Sequence, residues 1–151
     1  MSEKKIKIEI TTPERKVFSE EADQISIPTQ MGEITVLPEH IPLVAVLVPG
    51  ELRILKDKEE ILMAVSGGFI EVLPNKVTIL VDSAEHAEEI DEKRAEEARQ
   101  RALELQNEKR FDDQEFAALS VQIEKELARL KVVRKKKYRN LPPKGPFQDN
   151  K

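Results

Sequence analysis

The chain has 151 residues, a formal net charge of −4, 36 % charged and 39 % hydrophobic residues, two histidines, and neither cysteine nor tryptophan. Thiol chemistry, disulfides and cysteine-based metal sites are excluded, and the length suits one compact domain with an appendage. The net charge averages three unlike stretches: residues 1–84 carry 9 basic and 14 acidic groups, 85–126 carry 7 and 14, and 127–151 carry 9 and 1, an asymmetry that signals interaction rather than topology. No basic, apolar leader precedes Lys4-Lys5-Ile6, so a cytoplasmic location is expected. The longest uncharged stretch, residues 40–50, contains Pro42 and Pro49 and falls well short of the ~20 residues of a spanning helix, so no membrane insertion is expected.

In chain order, the first period is two. Ile6, Ile8 and Ile10 alternate with Lys5, Lys7 and Glu9, Ile25 and Ile27 with Gln24 and Ser26, and Leu52 and Ile54 with Glu51, Arg53 and Leu55; such alternation marks half-buried strands. The segments 34–37, 43–48, 61–65, 69–73 and 77–81 are β-branched and more continuously apolar, as expected where a core face packs on a second sheet. Short spacings with no helical pattern between them predict an antiparallel sandwich or flattened barrel of eight to ten strands over residues 1–84. Turn punctuation then stops: after Pro74 no proline or glycine recurs until Pro142, which favours long helices.

Over about 88–106, Ile90, Ala95, Ala98, Ala102 and Leu105 make a thin stripe in dense charge. Phe116, Leu119, Ile123, Leu127 and Leu130 then repeat at three and four residues, a helical face. Asp112 followed by Glu115 has the form of a capping box, so the second helix is expected to start there. Two helices with a short connection predict an antiparallel hairpin over 85–137, slender and marginally stable alone. The aperiodic, proline-rich stretch 138–151 reads as an unstructured tail.

Catalytic constellations are missing. His40 and His86 lack the paired spacing of a zinc site, Gly67-Gly68 precedes a strand rather than a helix and reads as a tight turn or bulge, and Ser66 has no nucleophile-elbow setting. Glu59-Glu60 reads as an exposed turn. One cluster is suggestive: Glu85, Asp91 and Arg94 lie at the strand-to-helix junction, and Lys125 and Arg129 on the second helix converge with them in a hairpin. Cations there suit a polyphosphate and acids suit ribose hydroxyls or an adenine amine, against ordinary salt bridges on solvated helices as the alternative. The basic end, Arg129, Lys131, Arg134, Lys135, Lys136, Lys137 and Arg139, admits nucleic acid, an anionic membrane or an acidic protein as partner, or no ligand at all; Tyr138 is its lone aromatic, which disfavours nucleic acid.

In order and spacing, Gly32-Glu33, Leu37-Pro38-Glu39-His40-Ile41-Pro42-Leu43, Val48-Pro49-Gly50, Ser66-Gly67-Gly68-Phe69-Ile70-Glu71-Val72, Val77-Thr78-Ile79-Leu80-Val81-Asp82 and Ile90-Asp91-Glu92-Lys93-Arg94-Ala95 resemble the epsilon subunit of bacterial F-type ATP synthase over residues 5 to about 137. The resemblance implies an N-terminal ten-stranded antiparallel β-sandwich followed by a C-terminal two-helix antiparallel hairpin. It implies a central-stalk (rotor) subunit with no catalytic site of its own, peripheral at the cytoplasmic face of the plasma membrane. The sandwich would bind the gamma subunit and the polar loops of the c-ring, coupling ion-driven rotation to ATP synthesis, with Glu33, Pro38 and His40 in the ring-facing loop. The family usually has glycine where Thr35 and Glu39 stand here.

By the same resemblance, Glu85, Ile90, Asp91, Arg94 and Ala95 match an ATP-binding motif, with Lys125 and Arg129 as basic phosphate partners. No cofactor is required, and ATP is a regulatory ligand. The hairpin would fold on the sandwich with ATP and extend without it, carrying Lys131, Arg134, Lys135, Lys136 and Lys137 to the alpha and beta subunits to inhibit hydrolysis. Two other readings stand beside this one: a sandwich adaptor whose basic tail binds RNA or DNA, and a small independent ATPase.

Overall fold

The computed structural model describes residues 3–108 and 112–140. The period-two segments form ten strands: β1 (Ile6–Thr11), β2 (Lys16–Ala22), β3 (Gln24–Thr29), β4 (Gly32–Val36), β5 (Leu43–Leu47), β6 (Gly50–Lys56), β7 (Glu59–Val65), β8 (Gly68–Val72), β9 (Lys76–Val81) and β10 (Ala84–His86). They hydrogen-bond in the order β10-β7-β6-β3-β5-β8-β9-β1-β2, with β4 on β3. The sheet folds over on itself, so Ile6, Ile8 and Ile10 of β1 meet Leu52 and Ile54 of β6, Ile70 of β8 and Ile79 of β9 in one buried cluster. Burying each such aliphatic side chain contributes about 1.5–3 kcal/mol, and this cluster holds the sandwich together.

Three details depart from expectation. The pairing is not wholly antiparallel: β1 and β9 run parallel, which their long sequence separation permits because no hairpin turn dictates their direction. The polar sequence of β2 concealed it, since only Phe18 and Ala22 are buried at this end of the sheet. The strand pattern also continues past Val81, because Ala84, Glu85 and His86 pair with Val65, Ala64 and Met63 of β7.

Gly67-Gly68 makes neither the tight turn nor the bulge expected of it. Gly68 opens β8 opposite Val81, and a Cβ there would stand 2.0 Å from the Leu80 carbonyl oxygen. The glycine is required by close approach of two backbones. At Gly67 an added Cβ would make ordinary contact, 3.6 Å from the Leu47 carbonyl oxygen.

The first helix starts later than about 88. Ala87–Glu89 form a 3-10 turn capped by His86, whose backbone N–H donates to the Glu89 carboxylate at 3.1 Å. Ile90 is then extended, and Asp91 accepts the Arg94 N–H at 3.1 Å to start α1 (Glu92–Glu108). The second helix, α2 (Asp113–Arg139), begins as the capping box predicts, with the Asp112 carboxylate accepting the Glu115 N–H at 2.8 Å. The stretch read as a tail from 138 opens inside α2, at Tyr138 and Arg139; residues 141–151 lie outside the described ones.

The alanine stripe brings the helices together, Ala95 and Ala102 being buried. The expected stripe of α2 is only partly right. Phe116 and Leu127 are 52 % and 45 % exposed, whereas Glu126, Ala128, Leu130 and Val132 are buried. The reason is a third layer: the C-terminal half of α2 lies between α1 and the sheet, and Val132 joins Leu62 and Ala64 of β7, Ala87 and Ile90 in a second, smaller core. Gly68→Ala is expected to lower stability by about 3 kcal/mol and Gly67→Ala by less than ~1 kcal/mol, measured by urea unfolding of the full chain.

Candidate functional site

In β6, Leu52 and Ile54 point into the main core, so period two puts Glu51 and Arg53 on the opposite face. That face meets the end of α2. Lys135 Nζ donates to Glu51 Oε1 at 2.6 Å, and the Glu51 side chain is only 4 % exposed. Arg134 donates to Glu92 and Glu96 of α1 at 3.1 and 3.4 Å, and Lys137 approaches Glu92 at 3.8 Å. Lys136 pairs with Glu88 and Arg139 with Glu60 of β7. Lys131 is exposed and has no ion-pair partner within 4 Å among the described residues. Apart from Lys131, the cations of the basic end expected to face a partner are here paired with acids of their own chain. The exposed pairs contribute about 0–1 kcal/mol each, but Glu51 is buried, and a buried charge without its counterion is strongly destabilising.

A second charged site lies at the root of the hairpin. Arg129 donates from Nε and an Nη to the Glu85 carboxylate at 2.7 and 3.2 Å, and from the other Nη to Glu126 at 2.9 Å. Burial pulls the pKa of Arg129 down, but its hydrogen bonds to Glu126 and Glu85 and the charges on those carboxylates outweigh it, so the net shift is upward. Glu85, Lys125 and Arg129 line a cleft of about 410 Å³ with Thr12, Arg15, Asp82, Ser83 and Glu89, a size in the range of small-ligand sites. Arg15 reaches Glu89 at 3.4 Å. The His86 N–H, together with Arg15, holds the Glu89 carboxyl below its ordinary pKa against the opposing effect of burial.

The structure divides the other residues of the expected nucleotide motif. Asp91 caps α1 and lines a hollow with Glu92, Lys93 and Arg134, away from that cleft. Arg94, 84 % exposed, turns to Asp91 at 3.7 Å. Ile90 and Ala95 are buried, at 8 % and 0 % exposure, so they act by packing and present no surface to a ligand in this state. Sequence reasoning missed Glu51, Glu126 and Arg15. The i,i+3 spacing of Glu126 and Arg129 was a readable signal for one of them; the other two become site residues only when α2 and the β1–β2 turn fold over them.

Glu33, Pro38 and His40 do not form one tip. Glu33 sits near the start of β4 with its carboxylate turned to Arg53, whereas Pro38 and His40 follow the strand's end, where His40 Nδ1 lies 2.7 Å from the Ile41 carbonyl oxygen. Glu39 has φ +66° and Lys4 on its carboxylate, a left-handed conformation that accounts for the family's usual glycine there. Thr35 is an ordinary β4 residue whose hydroxyl shares a 2.8 Å hydrogen bond with Ser26. Among the described residues no group of three His, Asp or Glu side chains is placed to hold a metal ion.

A β-sandwich with a two-helix hairpin folded back on its sheet, joined by an acid-base seam, is the class this architecture defines. The beta-sandwich domain of the ATP synthase delta/epsilon chain matches residues 5–87, and the long alpha-helix domain of the same chain matches residues 88–134. The chain belongs to the ATP synthase delta/epsilon chain family. It is 46 % identical over 127 residues to the ATP synthase epsilon chain of Chloroflexus aggregans, covering 84 % of this chain and 91 % of that one. It is 45 % identical over 134 residues to the epsilon chain of Herpetosiphon aurantiacus, covering 89 % and 98 %. Among solved structures it is similar to a chain of the Euglena gracilis mitochondrial ATP synthase (OSCP/F1/c-ring), with TM-score 0.70 and 26 % identity over 80 % of this chain and 76 % of that one. A chain from the Tetrahymena thermophila central stalk and c-ring shares the fold at TM-score 0.57 and 18 % identity, covering 90 % and 98 %.

Arg129→Ala strands Glu126 and Glu85 without their shared cation and is expected to lower stability by about 2–4 kcal/mol. Glu126→Gln in the same chain should restore part of that loss, because it removes the stranded charge. Urea unfolding of the four chains of the double-mutant cycle measures both; strictly additive effects would show that the two groups are not coupled.

Proposed function

We propose that the chain is a rotor subunit of an F-type ATP synthase that couples ion-driven rotation of the c-ring to ATP synthesis, and that its hairpin restrains ATP hydrolysis. Family membership supports the first half. The sandwich presents a contiguous apolar row, Val46 of β5, Phe69 of β8 and Leu80 of β9 at 39 %, 58 % and 53 % exposure, which suits the gamma subunit. Glu33, Pro38 and His40 are the residues that meet the polar loops of the c-ring. The complex sits at the cytoplasmic face of the plasma membrane, with this chain peripheral to it.

The observation that carries the regulatory half is the pairing of the basic end with acids of its own chain. The small core under α2 and a seam of largely exposed ion pairs make a releasable contact. In the released state the same cations meet acidic segments of the alpha and beta subunits. ATP is the ligand of the cleft: Lys125 and Arg129 receive its phosphates and Glu85 meets a ribose hydroxyl or the adenine amine, while Asp91 and Arg94, turned to each other at the start of α1, stay outside it. ATP competes with the carboxylates of Glu85 and Glu126, which now hold Arg129, and it favours the docked state only by the margin of its affinity for that state over the released one.

The test is ATP hydrolysis by the assembled complex carrying either the full chain or one ending at Asp91. Truncation should raise hydrolysis several-fold while synthesis persists. Inhibition by the full chain should fade as ATP is raised, and Lys125→Ala should shift that fading to higher ATP. Equal hydrolysis with full and truncated chains would refute the inhibitory role.

A further inference from the structure

Glu51 is not held by Lys135 alone. Its Oε1 also lies 3.3 Å from Arg53 Nε, two residues along β6, and the Arg53 guanidinium reaches the carboxylate of Glu33 on β4. These side chains share the outward face of the sheet, where β3 separates β6 from β4: Ser26 pairs with Arg53 on one side and Thr35 on the other, and Pro28 pairs with Glu33. The result is an alternating chain of charge, Glu33, Arg53, Glu51, Lys135, of which only the last belongs to the hairpin. Exposure falls along it, with side-chain values of 49 % at Glu33, 33 % at Arg53 and 4 % at Glu51. Glu51 Oε2 and Arg53 Nε are both buried with no hydrogen-bond partner among the described residues, so the sheet residues do not satisfy one another.

We propose that Glu33 and Arg53 are positioning residues for the hairpin, forming with Glu51 a three-charge receptor whose affinity for Lys135 is set at β4, a strand α2 does not need to touch. Charge counting gives the direction. Without Lys135 the receptor carries one net negative charge, and docking makes it neutral. Removing the charge of Glu33 makes the empty receptor neutral and leaves a net positive site once Lys135 arrives, so docking weakens although no contact of α2 has changed. A cation on a partner surface that takes Glu33 from Arg53 acts in the same direction. The receptor rests on the proposal that α2 docks and releases; the link to Glu33 adds that contact at β4 is felt at the hairpin.

The chain contains no cysteine, so a single Val132→Cys, at a position with 0 % exposure in the docked state, reports release as the rate of thiol modification in the full chain. Lys135→Gln is expected to raise that rate about tenfold or more, because it leaves Glu51 buried without its cation. Glu33→Gln is expected to raise it about two- to threefold at low ionic strength, the size of a partly screened pair. The effect should disappear near ~1 M salt, and Glu33→Asp, which keeps the charge, should match the parent chain. In the Lys135→Gln background Glu33→Gln should add almost nothing, since the effect acts through the charge of Lys135.

An unchanged rate in Glu33→Gln while Lys135→Gln opens the hairpin overturns the link, as does an equal factor in both backgrounds. An unchanged rate in Lys135→Gln overturns the receptor itself. These rates are read on the chain alone, so they stand or fall separately from the hydrolysis measurement on the assembled complex.

Discussion

The carboxylate of Glu51 faces away from the sandwich core, on a side of β6 that would be wet in an isolated sandwich. It is nearly inaccessible only because the end of α2 lies over it and Lys135 meets it at 2.6 Å. A buried carboxylate tolerates its surroundings when a counterion is present and penalises them heavily when it is not. This one pair therefore ties the position of a 27-residue helix to a single strand of the sheet. Around it the remaining seam forms in register: Arg139 falls on Glu60, Lys136 on Glu88, and Arg134 on Glu92 and Glu96.

The two parts are stabilised by different means. The sandwich depends on a cluster of Ile, Leu and Val side chains at or near 0 % exposure, contributed by strands from both ends of the sheet order. The hairpin rests on a small core of Leu62, Ala64, Ala87, Ile90 and Val132 and on ion pairs. Apolar burial is little affected by salt, whereas exposed pairs are screened within a Debye length. The contact between hairpin and sandwich therefore depends more on charge, and the interior of the sandwich more on apolar burial. In the outer half of α2, Phe116 and Leu127 are left about half exposed.

Most of the fold was legible in the sequence because its signals are local. Period two in Ile6-Lys7-Ile8-Glu9-Ile10 and the Asp112/Glu115 box depend on near neighbours, and both elements formed as read. Elements with weak local signals were lost: β2 is polar and β10 is three residues long. The site was less legible, because its geometry is tertiary. Glu51 looked like an outward-facing acid on an ordinary strand, and its burial depends on a helix more than eighty positions later. Arg129 and Glu85 were correctly expected to converge, but Glu126, which shares that guanidinium, sits in a face of α2 that the heptad-like stripe placed elsewhere. The expected cluster was divided for the same reason: Asp91 serves as a helix cap and Ala95 as a helix-helix contact, both local demands that spacing alone does not separate from ligand binding.

The central claim is that a docked hairpin is the permissive state and that its basic end inhibits only after leaving the sheet. A disulfide between Leu62→Cys and Val132→Cys, two positions in the same small core, would hold α2 on β7 in the assembled complex. The measurement is ATP hydrolysis at low ATP before and after reduction of that bond. The account predicts uninhibited hydrolysis while the bond is closed and a return of inhibition when it is reduced. Inhibition that persists with the hairpin locked to the sandwich would contradict it.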